Sequence, residues 1–162
     1  MKIKFLIFIF CFQISLFAQD KTEINKTLDQ WHNAAANADE DIFFGLMINE
    51  AIFIGTDANE NWQLKEFKKY ALPHFKRGKA WTFIPQQRNI YFNKNGNTAW
   101  FDEVLNSEHM GLCRGSGTLV KENNQWKIAH YVLSILVPNE NVKDVLKLKQ
   151  SHDKDFTEKE NK

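Results

Sequence analysis

Between residues 20 and 37 apolar side chains recur every three or four positions. Ile24, Leu28, Trp31 and Ala35 share one side of a 3.6-residue turn, so Asp20–Asn37 is predicted to be a helix. Asp39–Met47 repeats the pattern over a shorter span, with Ile42, Phe43 and Leu46 inward. Ala51–Ile54 reads as a short strand ending in the turn Gly55-Thr56-Asp57. Gln63–Phe75 reads as a third helix carrying Leu64, Phe67, Tyr70 and Ala71, with Pro73 loosening its last turn. The period then changes. Ala80–Ile84, Arg88–Asn93, Thr98–Leu105 and Leu112–Val137 are predicted strands, the last folded back at Glu122–Gln125. Val142–Gln150 is a predicted terminal helix, and the charged stretch Ser151–Lys162 lacks apolar periodicity and is expected to be a disordered tail. Helices first and strands later indicate one α+β domain over residues 20–150, with helices packed on a face of an antiparallel sheet.

Turn chemistry sets an expected register. Asn95-Gly96 is a two-residue hairpin signal that pairs Tyr91 with Trp100, Asn89 with Asp102 and Arg88 with Glu103. Asn123-Asn124, a weaker signal of the same kind, pairs Lys121 with Trp126, Leu119 with Ile128 and Gly117 with His130. Across the longer link Asn106–Gly111, placing Leu105 opposite Leu112 puts Glu103 opposite Arg114 and Asp102 opposite Gly115. Paired residues share a face. One face is then expected to hold Asn89, Tyr91, Trp100, Asp102, Val104, Cys113, Leu119, Trp126, Ile128, His130 and Ser134. The other is expected to hold Arg88, Glu103, Arg114, Ser116, Thr118, Tyr131, Leu133 and Ile135.

The first face is the candidate pocket. A carboxylate among Trp100, Val104 and Ile128 is costly to bury without a partner, and Asn89 or His130 could supply one. Asp102 is therefore a candidate base and His130 its candidate partner, though a mid-strand His130 reads equally as a neutral core histidine. Gly115 and Gly117 fall nearby and would leave room for a cavity floor, or mark a bulge. Asn89, Tyr91, Trp100 and Ser134 join the pocket set, with Trp31, Thr56, Asp57 and Trp62 from the helical half. Trp31 and Trp62 also read as core and roof, and Asp57 as a turn residue or helix cap. Glu103, between Arg88 and Arg114, reads as a cross-strand charge ladder worth about 0.2–1 kcal/mol per pair. No metal-ligand spacing, phosphate loop or nucleophile motif is present, so neither metal nor cofactor is expected.

Composition changes the picture mainly at the ends. Lys2 and Lys4, the apolar run Phe5–Phe12, then Leu16 and Ala18 form a signal-peptide pattern, with cleavage expected near Ala18-Gln19 and export to the periplasm or beyond. The run is too short to span a bilayer of about 30 Å, so no stable membrane anchor is expected. Cleavage would take 21 basic residues to 19 against 20 acidic ones, a balance near −1, which disfavours nucleic-acid binding. Cys113 is then the lone thiol, and the domain must rest on its core.

The order of elements resembles that of the nuclear-transport-factor-2-like superfamily, and most closely its SnoaL-like branch, over roughly Lys21 to Asn139. The residues that carry the resemblance are Phe53-Ile54-Gly55-Thr56-Asp57 with Glu60 and Trp62, then Ala99-Trp100-Phe101-Asp102-Glu103. With them go Arg114-Gly115-Ser116-Gly117 and Trp126-Lys127-Ile128-Ala129-His130 with Ser134. Many relatives carry a second histidine where this chain has Val132. The resemblance implies a strongly bent sheet forming a cone with a pocket, and a homodimer made through the outer sheet face. The superfamily includes isomerases, hydrolases and dehydratases as well as members without catalysis. The expected function is binding of a small, largely apolar molecule, with cofactor-free acid–base chemistry at Asp102 and His130 as its catalytic version. The alternative is a non-catalytic interaction module that self-associates through Phe101, Tyr131, Leu133 and Ile135 on the outer face.

Overall fold

The computed structural model describes residues 20–160, so the predicted signal peptide lies outside the described residues. Helix α1 covers 20–36 and turns Ile24, Leu28, Trp31 and Ala35 into the core, as its spacing predicts. Helix α2 (Glu40–Gly45) begins at Asp39, whose carboxylate accepts the Ile42 N–H at 3.0 Å and so satisfies one otherwise unpaired helical donor. Strands β1 (Met47–Ile54) and β2 (Asn61–Gln63) lead into helix α3 (Leu64–Phe75). Strands β3 (Ile84–Phe92), β4 (Thr98–Ser107), β5 (Gly111–Glu122) and β6 (Gln125–Ile135) follow as a meander. A 3₁₀ turn at Asn139–Asn141 then opens helix α4 (Val142–Glu160).

The six strands form one sheet in the order β2-β1-β6-β5-β4-β3. All neighbours are antiparallel except β1 and β6, which run parallel. Register shifts in β1 between Met47 and Ile52, in β3 at Pro85/Gln87, and at Thr118/Leu119 against β6 interrupt the ladders. Such bulges bend a strand and raise its local twist, which curls this sheet around α1. The expected strand at Ala80–Ile84 is corrected: pairing starts only at Ile84.

The turns reverse their expected ranking. Asn123 and Asn124 both have positive φ, 50° and 62°, and form the tight two-residue turn of β5–β6. At Asn95-Gly96 only Gly96 does, at 68°. That connection is wider, closed by the Asn93 N–H donating to the Thr98 carbonyl at 2.9 Å, while the Asn93 side chain accepts the Asn97 and Thr98 N–H groups. It still delivers the expected pairs of Tyr91 with Trp100, Asn89 with Asp102 and Arg88 with Glu103.

Two irregularities correct the expected faces. Across the β4–β5 link Leu105 pairs with Cys113, one residue beyond the expected partner, so Glu103 faces Gly115 and Asp102 faces Ser116. On β6 the bulge puts an extra residue between Ile128 and His130, so Gly117 pairs with Tyr131 and not with His130. Cys113, Leu119, Trp126 and Ile128 are consequently buried on the inner face with Phe101, Glu103, Tyr131 and Leu133. Asn89, Tyr91, Trp100, Asp102, His130 and Ser134 share the outer face with Arg114, Ser116 and Thr118. The expected self-association set of Phe101, Tyr131 and Leu133 is therefore core.

The expected disordered tail is also corrected, because α4 continues to Glu160. Charged side chains one turn apart pair along it, Lys149 with Asp153 and Lys154 with Glu158, and offset its lack of an apolar stripe. None of its residues is buried.

Gly115 and Gly117 leave space for protein atoms. A Cβ on Gly115 would overlap the Tyr131 hydroxyl and Glu103, and one on Gly117 would overlap the backbone carbonyl of His130 and the Phe101 ring. A carbonyl locked in a ladder cannot step aside. Gly117→Ala is expected to destabilise the fold by about 1–3 kcal/mol in urea denaturation. An unchanged midpoint would contradict this packing.

Candidate functional site

Helix α1 carries polar residues on both flanks of its apolar stripe, Asn25, Asp29 and His32 in a row on one side and Asp20 on the other. Each reaches the sheet. Asp20 accepts from Lys121 Nζ at 2.6 Å and Trp126 Nε1 at 3.1 Å. Arg88 donates to the Asn25 side chain at 3.2 Å and to Asp29 at 2.8 Å. His32 Nε2 lies 2.7 Å from Glu103 Oε1. Glu103 is 0% exposed, and its second oxygen accepts from Arg88 at 2.9 Å. The Tyr131 hydroxyl donates weakly to Oε1 at 3.4 Å. Burial pushes the Glu103 carboxyl up, but His32 and Arg88 more than offset it and hold it below the ordinary value. Burial, then the Glu103 charge, pushes the Tyr131 phenol well above its ordinary value. This cluster is a sealed ion-pair network, and Glu103 is its centre, not a rung of a surface ladder.

The open cavity lies next to it, between β1, β2, α3 and β6. It holds about 110 Å³ and opens to solvent. Its buried base is Phe53, Phe67, Phe83 and Leu133, and its sides are Trp62 and Trp81. Tyr70, Thr56, Glu60 and Met110 complete the lining towards solvent. Near-parallel rings run through it: Tyr70 on Trp62 (4.6 Å, 22°), Trp62 on Phe67 (5.9 Å, 20°), and Phe67 on Phe53 (3.9 Å, 8°). Phe53 then stacks on Tyr131 at 5.5 Å, which ties the cavity base to the sealed network.

One carboxylate belongs to the cavity. The Gly55 N–H donates to the Glu60 carbonyl at 2.8 Å, and the Glu60 N–H to the Asp57 carbonyl at 2.9 Å, which closes the loop on itself. Asp57 accepts the backbone and side-chain N–H groups of Asn59, and these bonds draw its carboxyl below the ordinary value. Glu60 Oε2 accepts the Asp57 N–H at 3.2 Å, while Oε1 has no hydrogen-bond partner among the described residues. A Cβ at Gly55 would overlap this carboxylate, so the missing side chain is what lets Glu60 lie there. Burial, then the Glu60 charge, pushes the Tyr70 phenol up, keeping it protonated.

Of the residues expected to form the pocket, Thr56 and Trp62 line this cavity. Trp31 does not, being 1% exposed in the core against Phe43 and Tyr131. Asp57 sits on the loop surface, 3.3 Å from His152 of α4, and borders with Thr56 and Ser134 a separate open groove under that helix. The expected catalytic pair is corrected. Asp102 and His130 lie on the outer face, share no hydrogen bond, and line no part of the cavity. Asp102 instead accepts from Asn89 at 3.1 Å, and Tyr91 stacks on Trp100 beside them. Sequence reasoning missed Tyr70, Trp81 and Phe83 as lining residues and His32 as the partner of Glu103. It noted Glu60 and Phe53 only as parts of a motif. The usable signal was the helical row Asn25, Asp29, His32, polar groups beside an apolar stripe that needed partners on the sheet. Among the described residues no cluster of His, Cys, Asp or Glu gathers as metal ligands, and no helix is long and apolar enough to cross a membrane.

The SnoaL-like domain family matches residues 24–138, most of the chain. The protein belongs to the SnoaL-like domain family. Solved structures place this SnoaL-like chain in the nuclear-transport-factor-2-like fold. A provisionally named scytalone dehydratase from Novosphingobium aromaticivorans aligns with a TM-score of 0.64 at 13% identity, covering 76% of this chain and 89% of its own. A provisionally named dehydratase of the NTF2-like family from Streptomyces avermitilis gives 0.63 at 13% identity, covering 75% and 99%. An NTF2-like protein of unknown function from Pseudomonas putida gives 0.61 at 14% identity, covering 74% and 89%. At these identities the likeness is one of fold. No curated protein matches the chain.

Removing Glu103 leaves the buried His32 imidazole without its carboxylate and the Arg88 guanidinium with only Asn25 and Asp29. Glu103→Ala is expected to cost about 3–5 kcal/mol, whereas Asp102→Asn on the outer face should stay within about 0.5 kcal/mol. Because the folded state holds the Glu103 carboxyl below its ordinary value, its contribution is present above the unfolded value of about 4.3 and lost as pH falls further. Urea midpoints measured from pH 6 down to pH 3 should fall more steeply in the parent than in Glu103→Gln. Parallel curves would show that the pair is not what acid breaks.

Proposed function

We propose that this SnoaL-like protein binds a small, largely apolar molecule in the cavity between β1, β2 and α3. The observation that carries this is the ring-lined cavity itself: Trp62, Trp81 and Tyr70 face open space beside one carboxylate. Pockets that bind small molecules combine apolar and aromatic walls with a few placed polar groups. The acid–base version of this reading moves from Asp102 and His130 to Glu60 and Tyr70, the proton-exchanging groups that line the space. Export remains part of the proposal, on the signal pattern of residues 1–18 alone.

Neutral aromatic fragments such as indole and 2-naphthol test the cavity. Saturation-transfer NMR should detect their binding to the parent chain, and Trp62→Ala should weaken it about tenfold or more. Binding that is indifferent to Trp62→Ala would locate the fragment elsewhere and overturn the assignment.

A second reading, self-association through the outer face, is favoured by one observation. Tyr91 and Trp100 are 47% and 48% exposed and stack on each other, an aromatic pair on the outer face that a second copy could cover. Sedimentation velocity over a hundredfold range of concentration should give a dimer that Trp100→Glu dissociates. A parent chain that stays monomeric throughout would remove the reading.

A further inference from the structure

The cavity has a charge signature that narrows its ligand, given the reading above that it binds one. Its lining includes one carboxylate, Glu60, and no lysine, arginine or histidine. Glu60 makes no ion pair among the described residues, and its Oε1 accepts no hydrogen bond from them. Around it stand the rings of Trp62, Trp81 and the half-exposed Tyr70, whereas Phe53 and Phe67 are stacked on each other at its base. Elsewhere the protein uses ring faces with its own cations: Lys68 lies 5.1 Å over Phe44 and Lys121 lies 5.4 Å over Trp126. The cavity rings have no such partner among the described residues. His74, tilted against Tyr70 and edge-on to Trp81, does not supply one. Its Nδ1 lies 2.7 Å from the Arg77 guanidinium, and the residue lines no part of the cavity.

We propose that the cavity selects an organic cation, an alkyl- or arylammonium group held between the aromatic rings with its charge against Glu60. The attraction of a cation to a ring face comes from the ring's quadrupole and grows as water is excluded. The apolar base formed by Phe53, Phe67 and Leu133 would take the rest of such a molecule. An anionic ligand of the same shape would face Glu60 unpaired and would be rejected.

Benzyltrimethylammonium and its neutral carbon isostere neopentylbenzene differ in charge and hardly in shape. Titrated into the full chain and followed by tryptophan fluorescence and NMR, the cation should bind at least tenfold more tightly than the isostere. Glu60→Gln keeps an oxygen that can accept the Asp57 N–H, so the loop should stay folded. That variant should lose most of the preference for the cation, read as the ratio of the two affinities measured on the same protein. Equal binding of the two probes to the parent would overturn the charge proposal and leave the apolar cavity standing. A preference that survives Glu60→Gln would overturn the role of the carboxylate. Failure of both probes, together with failure of the neutral fragments, would overturn the binding reading itself.

Discussion

A fully buried carboxylate constrains this fold more than any other single group. Glu103 can be dehydrated only if His32 comes from α1 and Arg88 from β3 at the same time, and each of those residues is itself nearly buried. The three elements are therefore interdependent. Without α1 in place, Glu103 would keep Arg88 of β3 but lose His32, and Arg88 would lose Asn25 and Asp29, so two buried charged groups would be left short of partners, which is more costly than a missing apolar contact. Apolar packing of Ile24, Leu28 and Trp31 supplies the bulk attraction of α1 to the sheet, and the ion-pair network sets where along the sheet it stops.

The same network fixes the geometry of the cavity next door. Tyr131 touches Glu103 through its hydroxyl and Phe53 through its ring, and Phe53 is stacked on Phe67 of α3. Rings in near-parallel contact leave little freedom to slide, so the base of the cavity inherits its position from the charged core. The mouth is built differently. It depends on the self-bonded loop from Gly55 to Glu60, where an absent side chain at Gly55 gives the Glu60 carboxylate its place. The cavity thus joins a rigid floor to a short loop with its own internal hydrogen bonds.

Much of the architecture was readable in the residues, because helical and alternating periods are properties of neighbours along the chain. Ile24, Leu28, Trp31 and Ala35 announced α1, and the β3–β4 register followed from counting back from Gly96 even though the turn itself is wider than Asn95-Gly96 alone suggests. The site was not readable in the same way. Strand faces have a period of two, so one slipped residue beyond Asn106 and one bulged residue before His130 were enough to join buried Trp126 and Ile128 to the half-buried outer-face residues Asp102 and His130. Neither irregularity has a local signature, since both are set by how the sheet closes around α1. Glu60 and Tyr70 were not joined as a site for a related reason: Glu60 entered only as part of a motif and Tyr70 only on the apolar face of its helix, and they come together through the packing of a loop on that helix.

Helix α4 stands apart from this economy of shared contacts. It buries no residue, exposes Leu148 at 84%, and is linked to the cavity loop by the half-exposed pair of His152 and Asp57. An element held so lightly unfolds on its own, without drawing on the free energy that holds the cone together. Its amide hydrogens would trade with solvent at rates set by local fraying, orders of magnitude faster than those of β5 and β6. Helix α4, beside the Gly55–Glu60 loop, is thus the part of the described chain whose opening would leave the cone intact.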